Sequence, residues 1–273
     1  MECFYINLDS AHERRIQIES NFLENRSAEW RLSRYSAIDT GFIESKMIAG
    51  SLRPSEKACF FSHKYLIREN LHNKNPIFIM EDDVVFGKHT CAIVKSILSS
   101  SINLDWDILY TDIAVTQIAT MCDLVKKRQR QTINNEIILL DLADITFAGS
   151  TSYILNPNST SKIFNYLDAK KELNIPYDLY LRQLIHESKI KGYSFFPFIT
   201  SLSEFSDISQ IQQIEPQAAD LIWNLFRKMI WLERDLEQHK QVLEYINQNL
   251  CDEESKMFGT LFSAMISKNF KPK

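Results

Sequence analysis

Three consecutive acidic residues, Glu81, Asp82 and Asp83, interrupt an otherwise apolar stretch of the sequence. Residues 77–80 before them have the composition of a short buried strand, and residues 84–86 resume the apolar run. Adjacent carboxylates repel one another, and burying them without a partner costs roughly several kcal/mol. At the end of a strand in an α/β sheet, where ligands bind, the usual partner is a hard divalent cation. The pattern therefore favours a metal site over a solvated acidic turn, because such turns normally carry Gly, Asn or Pro.

Arg14 and Arg15 are candidate cationic residues of the same site. Residues 3–8 form the first predicted strand, and Ser10 and Glu13 have the capping-box spacing of a helix start. Both arginines then lie near the end of that strand, where they can reach an anionic ligand; the alternative is that one is a solvated surface residue. The predicted core-facing stripe of this helix comprises Ile16, Phe22 and Leu23.

Cys59 and His63 lie four residues apart on a predicted helix that begins at Pro54 and Ser55 and runs to about residue 71. This spacing places both side chains on one face, where they can ligate a metal. The sequence contains no second pair of this kind nearby. A half-buried histidine beside a core cysteine is therefore the favoured interpretation.

The six glycines of the chain are too widely spaced to form a glycine-rich phosphate loop. Neither a GxGxxG dinucleotide fingerprint nor a P-loop is present in the sequence. If a phosphate-bearing ligand binds, we expect a metal and cationic side chains to hold it.

The composition is that of a globular protein with one full core: 273 residues, 45% hydrophobic and 24% charged. The net charge of −4 argues against a general nucleic-acid binder. No apolar stretch is long enough to span a bilayer, and the sequence opens on a strand without a signal-peptide pattern, so we expect a cytoplasmic protein. The cysteines are expected to be free thiols: Cys3, Cys59, Cys91, Cys122 and Cys251.

Predicted strands alternate with predicted helices as far as residue 198, which indicates an α/β mixed sheet with helices on both faces. Residues 116–132 show no clear period and contain the basic run 126–130. This run is interpreted either as a solvated face or as a mobile loop that meets an anionic acceptor.

Residues 216–250 contain neither glycine nor proline and carry one continuous apolar register. The apolar positions step by three and four residues, which predicts a long heptad helix. We therefore divide the chain into an α/β domain, 1–210, and a C-terminal helical extension, 216–273. A helix of this length needs a partner, which is the body of the protein, the terminal segment or, through residues 222–250, a second copy in a homodimer. A membrane-surface role is less favoured because the helix mixes charges of both signs. The seam residues are Ile222, Leu225, Met229, Leu232, Leu236, His239, Leu243, Ile246 and Leu250.

Taken together, these segments resemble glycosyltransferase family 25, which includes bacterial lipooligosaccharide galactosyltransferases and relatives of the collagen galactosyltransferases. The resemblance extends over roughly residues 3–210, with departures at Ala58 and Lys57, where the family has Gly and Ile, and at Thr40, where it has Gly. The strongest matching residues are Tyr5–Asp9, Arg14, Arg15, Ala37–Asp39, Leu52, Ser55, Glu56, Cys59, Ser62, His63 and Glu81–Val84. Weaker matches are Trp106–Leu109, Ser152–Ile154, Asp178, Pro197 and Ser206–Ile208.

The resemblance implies a GT-A-like (Rossmann-like) fold, a UDP-sugar donor, Mn²⁺ or Mg²⁺, and inversion at the anomeric carbon. Asp83 and Glu81 are then the expected metal ligands, and Asp178 and Asp82 the expected catalytic residues, with Asp112 and Asp144 as reserves for the general base. Asp178 has a structural alternative as a helix-start residue, because it closely follows Pro176. The residues expected to bind the nucleotide sugar are Asn7, Asp9, Arg14, Arg15, Asp39, His63, Glu81 and Asp82.

The expected activity is transfer of a hexose, most simply galactose, to an oligosaccharide or lipooligosaccharide core acceptor. The expected location is the cytoplasm, with contact at the inner face of the bacterial inner membrane. Two other classes of function use the same pattern. A metal-dependent phosphohydrolase would need the acidic cluster but no acceptor sugar, and an inactive GT-A-like interaction module would bind neither Mn²⁺ nor UDP.

Overall fold

A computed structural model of the chain describes residues 1–100, 104–134, 136–207, 218–234 and 262. Its strands are β1 (Glu2–Asn7), β2 (Arg31–Ser36), β3 (Ile77–Glu81), β4 (Val84–Phe86), β5 (Ile108–Tyr110), β6 (Ala114–Val115), β7 (Ile138–Asp141), β8 (Phe147–Ala148), β9 (Ser152–Leu155), β10 (Gly192–Phe196) and β11 (Thr200–Leu202). Its α-helices are α1 (His12–Asn25), α2 (Thr40–Ser45), α3 (Pro54–Glu69), α4 (Thr90–Ser100), α5 (Ile118–Asn134), α6 (Thr160–Asp168), α7 (Tyr177–His186) and α8 (Ala218–Ile230).

The central sheet has the strand order β2-β1-β3-β9-β5-β10-β7. Strands β2, β1, β3, β5 and β10 run in one direction, while β9 and β7 run in the other. The mixed sheet predicted from the sequence is therefore confirmed. Because β1 and β3 are parallel neighbours, their carboxyl ends lie at the same edge, which is where ligands bind in open α/β sheets.

Successive residues of β3 face opposite sides of the sheet, as the pleat of a strand requires. Ile77 and Ile79 pack into one core cluster, and Phe78 and Met80 into the other. The first cluster includes residues of α3, α5, α6, α7 and α8, whereas the second includes residues of α1 and α4. Helices thus cover both faces of the sheet, as predicted.

Helix α8 packs its apolar face onto the first core cluster. Ile222, Leu225 and Met229 are at most 3% exposed. After α8 ends at Ile230, Trp231 forms an isolated bridge with Phe198, and the backbone N–H of Leu232 donates to the carbonyl of the same Phe198 at 2.8 Å. Residues 218–232 are therefore anchored to the body of the chain through both the helix and the turn that follows it.

This arrangement corrects the expected length of the helix, which ends at Ile230 instead of continuing to Leu250. The first three seam positions pack within the same chain, so the body of the protein is a partner of this part of the helix, and the homodimer through residues 222–250 stays a prediction. The remaining seam positions from 236 onward, like the predicted boundary near residue 210, lie outside the described residues.

Three smaller expectations are also wrong. Of the two interpretations of the basic run 126–130, the mobile loop is wrong because the run lies within helix α5; Lys126, Lys127 and Arg130 are solvent-exposed, whereas Arg128 is only 7% exposed. In α1, Phe22 is buried as predicted, but Ile16 and Leu23 are each 65% exposed. The N-cap of this helix is Ala11, without a side-chain cap hydrogen bond, so the Ser10 capping box does not form.

The four described cysteines, Cys3, Cys59, Cys91 and Cys122, are free thiols, as expected. Among the residues that the structure describes, no helix has both the length and the apolar character that a membrane crossing requires.

Candidate active site

The acidic cluster lies where β3 ends at the ligand-binding edge of the sheet. Glu81 is the last residue of β3, and Asp82 and Asp83 form the tight turn that leads into β4. The backbone N–H of Glu81 donates to the carbonyl of Thr151 at 2.7 Å, and the N–H of Ser203 donates to the carbonyl of Asp83 at 2.8 Å. Backbone contacts on both sides therefore hold the segment that carries the three carboxylates.

Asp82 has protein partners on both of its carboxylate oxygens. Asn7 donates to Oδ2 at 2.7 Å, and Arg14 donates to Oδ1 at 2.9 Å. Burial raises the pKa of Asp82, although the contacts with Asn7 and Arg14 oppose that shift. A second guanidinium nitrogen of Arg14 donates to the carbonyl of Phe205 at 2.7 Å. Asp82 thus positions Arg14, and neither of its oxygens lacks a partner.

Asp83 differs from its neighbour because its Oδ1 is buried and has no hydrogen-bond partner among the described residues. Burial, followed by the negative charges of Glu81 and Asp82, raises the pKa of Asp83 to about 7. A buried carboxylate oxygen without a donor needs either a proton or a cation. Oxygen donors of this type are the ligands that Mn²⁺ and Mg²⁺ prefer, so the residues present fit a hard divalent cation.

Within the acidic cluster, Glu81 is the residue that approaches His63 of α3. Its Oε1 accepts from the hydroxyl of Ser150 at 3.3 Å and is 3.6 Å from Nε2 of His63. Burial alone would raise the pKa of Glu81, but His63, Ser150 and the charge of Arg227 bring the pKa below its usual value. Glu81 is thereby kept ionised beside Asp83.

Two cavities meet at the acidic cluster. One has a volume of about 410 Å³ and is bounded by the ends of β1 and β2, by α3 and by Asp39 and Arg14. The other has a volume of about 660 Å³ and contains Asp178 and residues of α8. Both volumes are within the range of small-molecule sites. The residues that line both cavities are Cys59, Glu81, Asp83 and Ser206.

Asp178 lies in the first turn of α7 and lines the larger cavity with Asp83. Its Oδ2 accepts the backbone N–H of Gly149 at 2.7 Å. Burial raises the pKa of Asp178, partly offset by backbone donors. Gly149 has a φ of +86°, which residues with a side chain rarely adopt. Glycine is therefore required at this point of the β8–β9 loop, where the backbone N–H contacts Asp178.

Arg227 is a site residue that the sequence did not identify. It projects from α8 into the wall of the larger cavity and is 5% exposed. Its Nη2 donates to Thr151 Oγ1 at 2.8 Å and to Asp112, while its Nε is buried without a hydrogen-bond partner among the described residues. A buried cation therefore lies in the cavity wall near the acidic cluster; its charge contributes to the lowered pKa of Glu81 and opposes the rise in the pKa of Asp83.

Asp112 and Asp144, the two reserve candidates for a general base, are not available for that role. Asp112 is 1% exposed and accepts from Thr200, Ser152 and Arg227. Asp144 is exposed in the turn between β7 and β8 and lines neither cavity. Asp178 alone of the three lies at the cavity surface.

Among the predicted nucleotide-binding residues, Arg14, Asp39 and His63 line the smaller cavity with Glu81 and Asp82. Asp39 also caps α2 through the backbone N–H of Phe42. The remaining three residues are placed as follows: Asn7 is buried at the end of β1, Asp9 pairs with Arg34 and Ser36, and Arg15 pairs with Glu19 on the outer face of α1, away from both cavities.

The model of a protein family described as "Glycosyltransferase family 25 (LPS biosynthesis protein)" matches residues 1–181 of the chain. The match includes the acidic cluster, Arg14 and Asp178, and it ends before α8. A search of curated proteins finds no match.

Proposed function

Because the chain belongs to glycosyltransferase family 25, we propose that it transfers a hexose, with galactose the first candidate, from a UDP-sugar to a saccharide acceptor with inversion. The observation that carries the proposal is the buried oxygen of Asp83, which has no hydrogen-bond partner in the described part of the chain and lies at the junction of two cavities. A transferase needs adjoining sites for a donor and an acceptor, with the bond to be broken between them. Two cavities that share the acidic cluster meet that requirement, and the mixed sheet is compatible with a GT-A fold.

We assign the nucleotide to the smaller cavity. Its volume of about 410 Å³ suits a uridine nucleotide, and it places Arg14 and Asp39 beside the ends of β1 and β2. Arg14, held by Asp82, supplies a positive charge where the diphosphate approaches the acidic cluster. Asp39 then lies near the nucleoside, where a carboxylate can accept hydrogen bonds from hydroxyl groups.

Asp83 and Glu81 would hold the divalent cation, Mn²⁺ or Mg²⁺. When bound, such a cation neutralises the diphosphate and stabilises the departing UDP as a Lewis acid. Asp83 contributes its unpartnered oxygen, and Glu81 remains ionised because His63 and Ser150 are close. The protein's own part is to keep these two carboxylates rigid at the end of β3.

Asp178 is assigned as the general base of the larger cavity. An inverting transfer requires one carboxylate to remove the proton from the attacking acceptor hydroxyl. Burial raises the pKa of Asp178 and so makes it a stronger base than a solvated aspartate. The hydrogen bond from Gly149 fixes the position of its side chain while the other cavity residues bind the acceptor.

Arg227 is assigned to the β-phosphate end of the donor. Its guanidinium is held by Asp112 and Thr151, so that little conformational entropy is lost when it binds an anion. A preorganised cation at the point where charge develops on the leaving group is an effective catalytic feature. Arg14 and Arg227 then approach the diphosphate from the two cavities.

The acceptor is proposed to be a saccharide of a lipopolysaccharide or lipooligosaccharide core, in keeping with the description of the family. The larger cavity offers Trp223, an aromatic residue on which a sugar ring can stack, together with Arg53 and Arg182. A cytoplasmic enzyme at the inner face of the membrane fits an acceptor of this kind.

The experiment that tests the proposal is a panel of UDP-sugars, each assayed for UDP release with Mn²⁺ or with EDTA. The full-length protein is compared with Asp83→Ala and with Asp144→Ala, an exposed aspartate that serves as the matched control. We expect slow metal-dependent hydrolysis of one donor, which is lost only in Asp83→Ala. Absence of metal-dependent turnover and of binding for every UDP-sugar would refute the proposal and favour an inactive module. Phosphate release from sugar phosphates would favour a phosphohydrolase instead.

A further inference from the structure

Cys59, His63 and Glu81 converge at the boundary between the two cavities. One potential ligand atom from each residue lies within 4.8 Å of those of the other two. Cys59 and His63 occupy one face of α3, four residues apart, and Glu81 reaches them from the end of β3. The spacing of Cys59 and His63 is visible in the sequence. The proximity of Glu81 to them is not, because it depends on how α3 packs against the sheet.

The ring of His63 is held through its Nδ1, and its Nε2 faces this cluster without a hydrogen-bond partner among the described residues. Its Nδ1 is 2.8 Å from the hydroxyl of Tyr153, which is 2.8 Å from the hydroxyl of Tyr177. The ring stacks on Tyr177, with centroids 4.2 Å apart and an interplanar angle of 10°. Its Nε2 is buried and makes no hydrogen bond to any described residue. At 3.6 Å, Glu81 is beyond hydrogen-bond distance of that nitrogen.

This geometry is the one expected of a metal-binding histidine. Such a histidine binds the ion through one ring nitrogen, while a second partner holds the other nitrogen and fixes the ring. Tyr153 is placed to act as that partner. Cys59 and Glu81 both line the two cavities, so an ion can enter and a further coordination position remains open to solvent or ligand.

We propose that Cys59, His63 and Glu81 form a binding site for a thiophilic divalent cation such as Zn²⁺, distinct from the hard-cation site assigned to Asp83. Thiolate and imidazole ligands select Zn²⁺ and Co²⁺ over Mg²⁺ and Mn²⁺, which prefer oxygen. Glu81 belongs to both sites and cannot complete both at once. Zn²⁺ bound through Cys59 and His63 therefore withdraws Glu81 from the neighbouring site and inhibits transfer; this second part rests on the proposed function.

The binding site is tested by adding Co²⁺ to full-length protein that has been freed of metal with EDTA and then desalted, with no nucleotide present. Cobalt bound to a thiolate produces a charge-transfer absorption band that cobalt bound only to oxygen and nitrogen does not. We expect a saturable band that Zn²⁺ abolishes. The band should be absent in Cys59→Ser and weakened at least about tenfold in apparent affinity in His63→Gln. It should persist in Asp83→Asn and in Cys122→Ser, the matched cysteine control.

A measurement on the wild-type protein avoids any dependence on the folding of variants. Cys59 and Cys122 are both half-buried free thiols, and their rates of alkylation by iodoacetamide can be followed by peptide mass spectrometry. Zn²⁺ should slow the alkylation of Cys59 at least about tenfold relative to Cys122, and Mn²⁺ should not. Equal rates with and without Zn²⁺, or a cobalt spectrum without a thiolate band, would overturn the proposed site.

The inhibitory part is tested by the ratio of UDP release with and without Zn²⁺ at fixed Mn²⁺. We expect this ratio to be low for the wild type and to rise at least about tenfold in Cys59→Ser, since a lost ligand weakens binding. Equal inhibition of both proteins would place Zn²⁺ at the Asp83 site and overturn this part. If no UDP-sugar is turned over at all, the proposed function fails, while the cobalt and alkylation results still decide the thiophilic site.

Discussion

Arg227 and Asp112 form a buried ion pair that joins residues 115 positions apart in the sequence. The guanidinium comes from α8, and the carboxylate follows β5 and is also held by the hydroxyls of Thr200 and Ser152. This contact places α8 in the wall of the candidate active site. The family-matched residues 1–181 contain the carboxylate but not the cation.

Replacing Arg227 should weaken UDP binding more than UMP binding. We expect Arg227→Met to reduce the affinity for UDP with Mn²⁺ about 10-fold to 100-fold, because a hydrogen bond to a charged group contributes about 1.5 to 3 kcal/mol. UMP, which lacks the β-phosphate, should lose little affinity. Isothermal titration calorimetry provides the measurement, and Arg15→Met on the outer face of α1 is the matched control.

The Arg227→Met variant also leaves Asp112 buried without its counter-ion, which costs about 3 to 5 kcal/mol of folding free energy. Arg227→Lys keeps the charge and should therefore be more stable and retain part of the preference for UDP over UMP. If the wild type, Arg227→Met and Arg227→Lys all prefer UDP over UMP to the same extent, Arg227 does not contact the β-phosphate.

Asp83→Asn should stabilise the metal-free protein at neutral pH. The pKa of Asp83 is raised from 3.8 to about 7, which means that the folded state favours the protonated carboxyl group. The stability that the protonated group contributes is fully present below pH 3.8 and is lost as the pH rises through about 7, because the buried carboxyl group then becomes charged. Because one pKa unit corresponds to about 1.4 kcal/mol and the side chain is partly exposed, we expect a gain of about 2 kcal/mol at pH 8. The gain should shrink towards pH 5.

Thermal unfolding in EDTA across this pH range measures the effect. Added Mn²⁺ should raise the melting temperature of the wild type and leave that of Asp83→Asn nearly unchanged. A stability difference between Asp83→Asn and the wild type that does not change with pH would mean that the pKa of Asp83 is not raised in the metal-free protein.

Asp178→Asn should abolish transfer without abolishing donor binding. The loss of a general base typically lowers the rate about 100-fold to 10,000-fold. The asparagine side chain can still accept the N–H of Gly149, so the loop between β8 and β9 should keep its position. The measurements are acceptor-dependent UDP release and calorimetric UDP binding. A variant with nearly full transfer activity would show that Asp178 is only a helix-start residue.

Leu225→Ala should destabilise the fold by opening a cavity in its core. Leu225 is 1% exposed and belongs to the core cluster that covers one face of the sheet, so the substitution should cost about 2 to 5 kcal/mol. Urea unfolding measures the cost, and Leu23→Ala, at a position that is 65% exposed, is the matched control. A cost below about 0.5 kcal/mol, with a lower mass in sedimentation equilibrium, would instead support the heptad seam between two copies.

The features that the sequence predicted best are local ones. The acidic residues after β3 stand out because carboxylates follow directly on an apolar strand, and the alternation of strands and helices indicates the mixed sheet. The period of α5 was obscured because buried positions Met121, Leu124 and Val125 are followed at the next helical position by Arg128, a cation that is itself buried. A charged residue on the apolar face hid a regular helix.

Long-range contacts were not predictable from the sequence pattern. The apolar register of α8 is equally compatible with a coiled coil and with a core helix, and only packing distinguishes them. In α1, two apolar residues that fit a stripe are exposed because Phe22 sets the buried face by packing edge-on against Phe86, with ring centroids 5.2 Å apart. Arg227 and the approach of Glu81 to Cys59 depend on such packing in the same way.

The burial of α8 determines where the chain can be shortened. A protein that ends near residue 181, where the family match stops, or near residue 210 would leave an apolar surface on the first core cluster open to water. We expect such fragments to be recovered as aggregates instead of as a minimal catalytic unit. Phe262 is also fully buried in this cluster and stacks on Phe226 of α8, so a C-terminal junction for tags or exchanged segments should lie beyond residue 262.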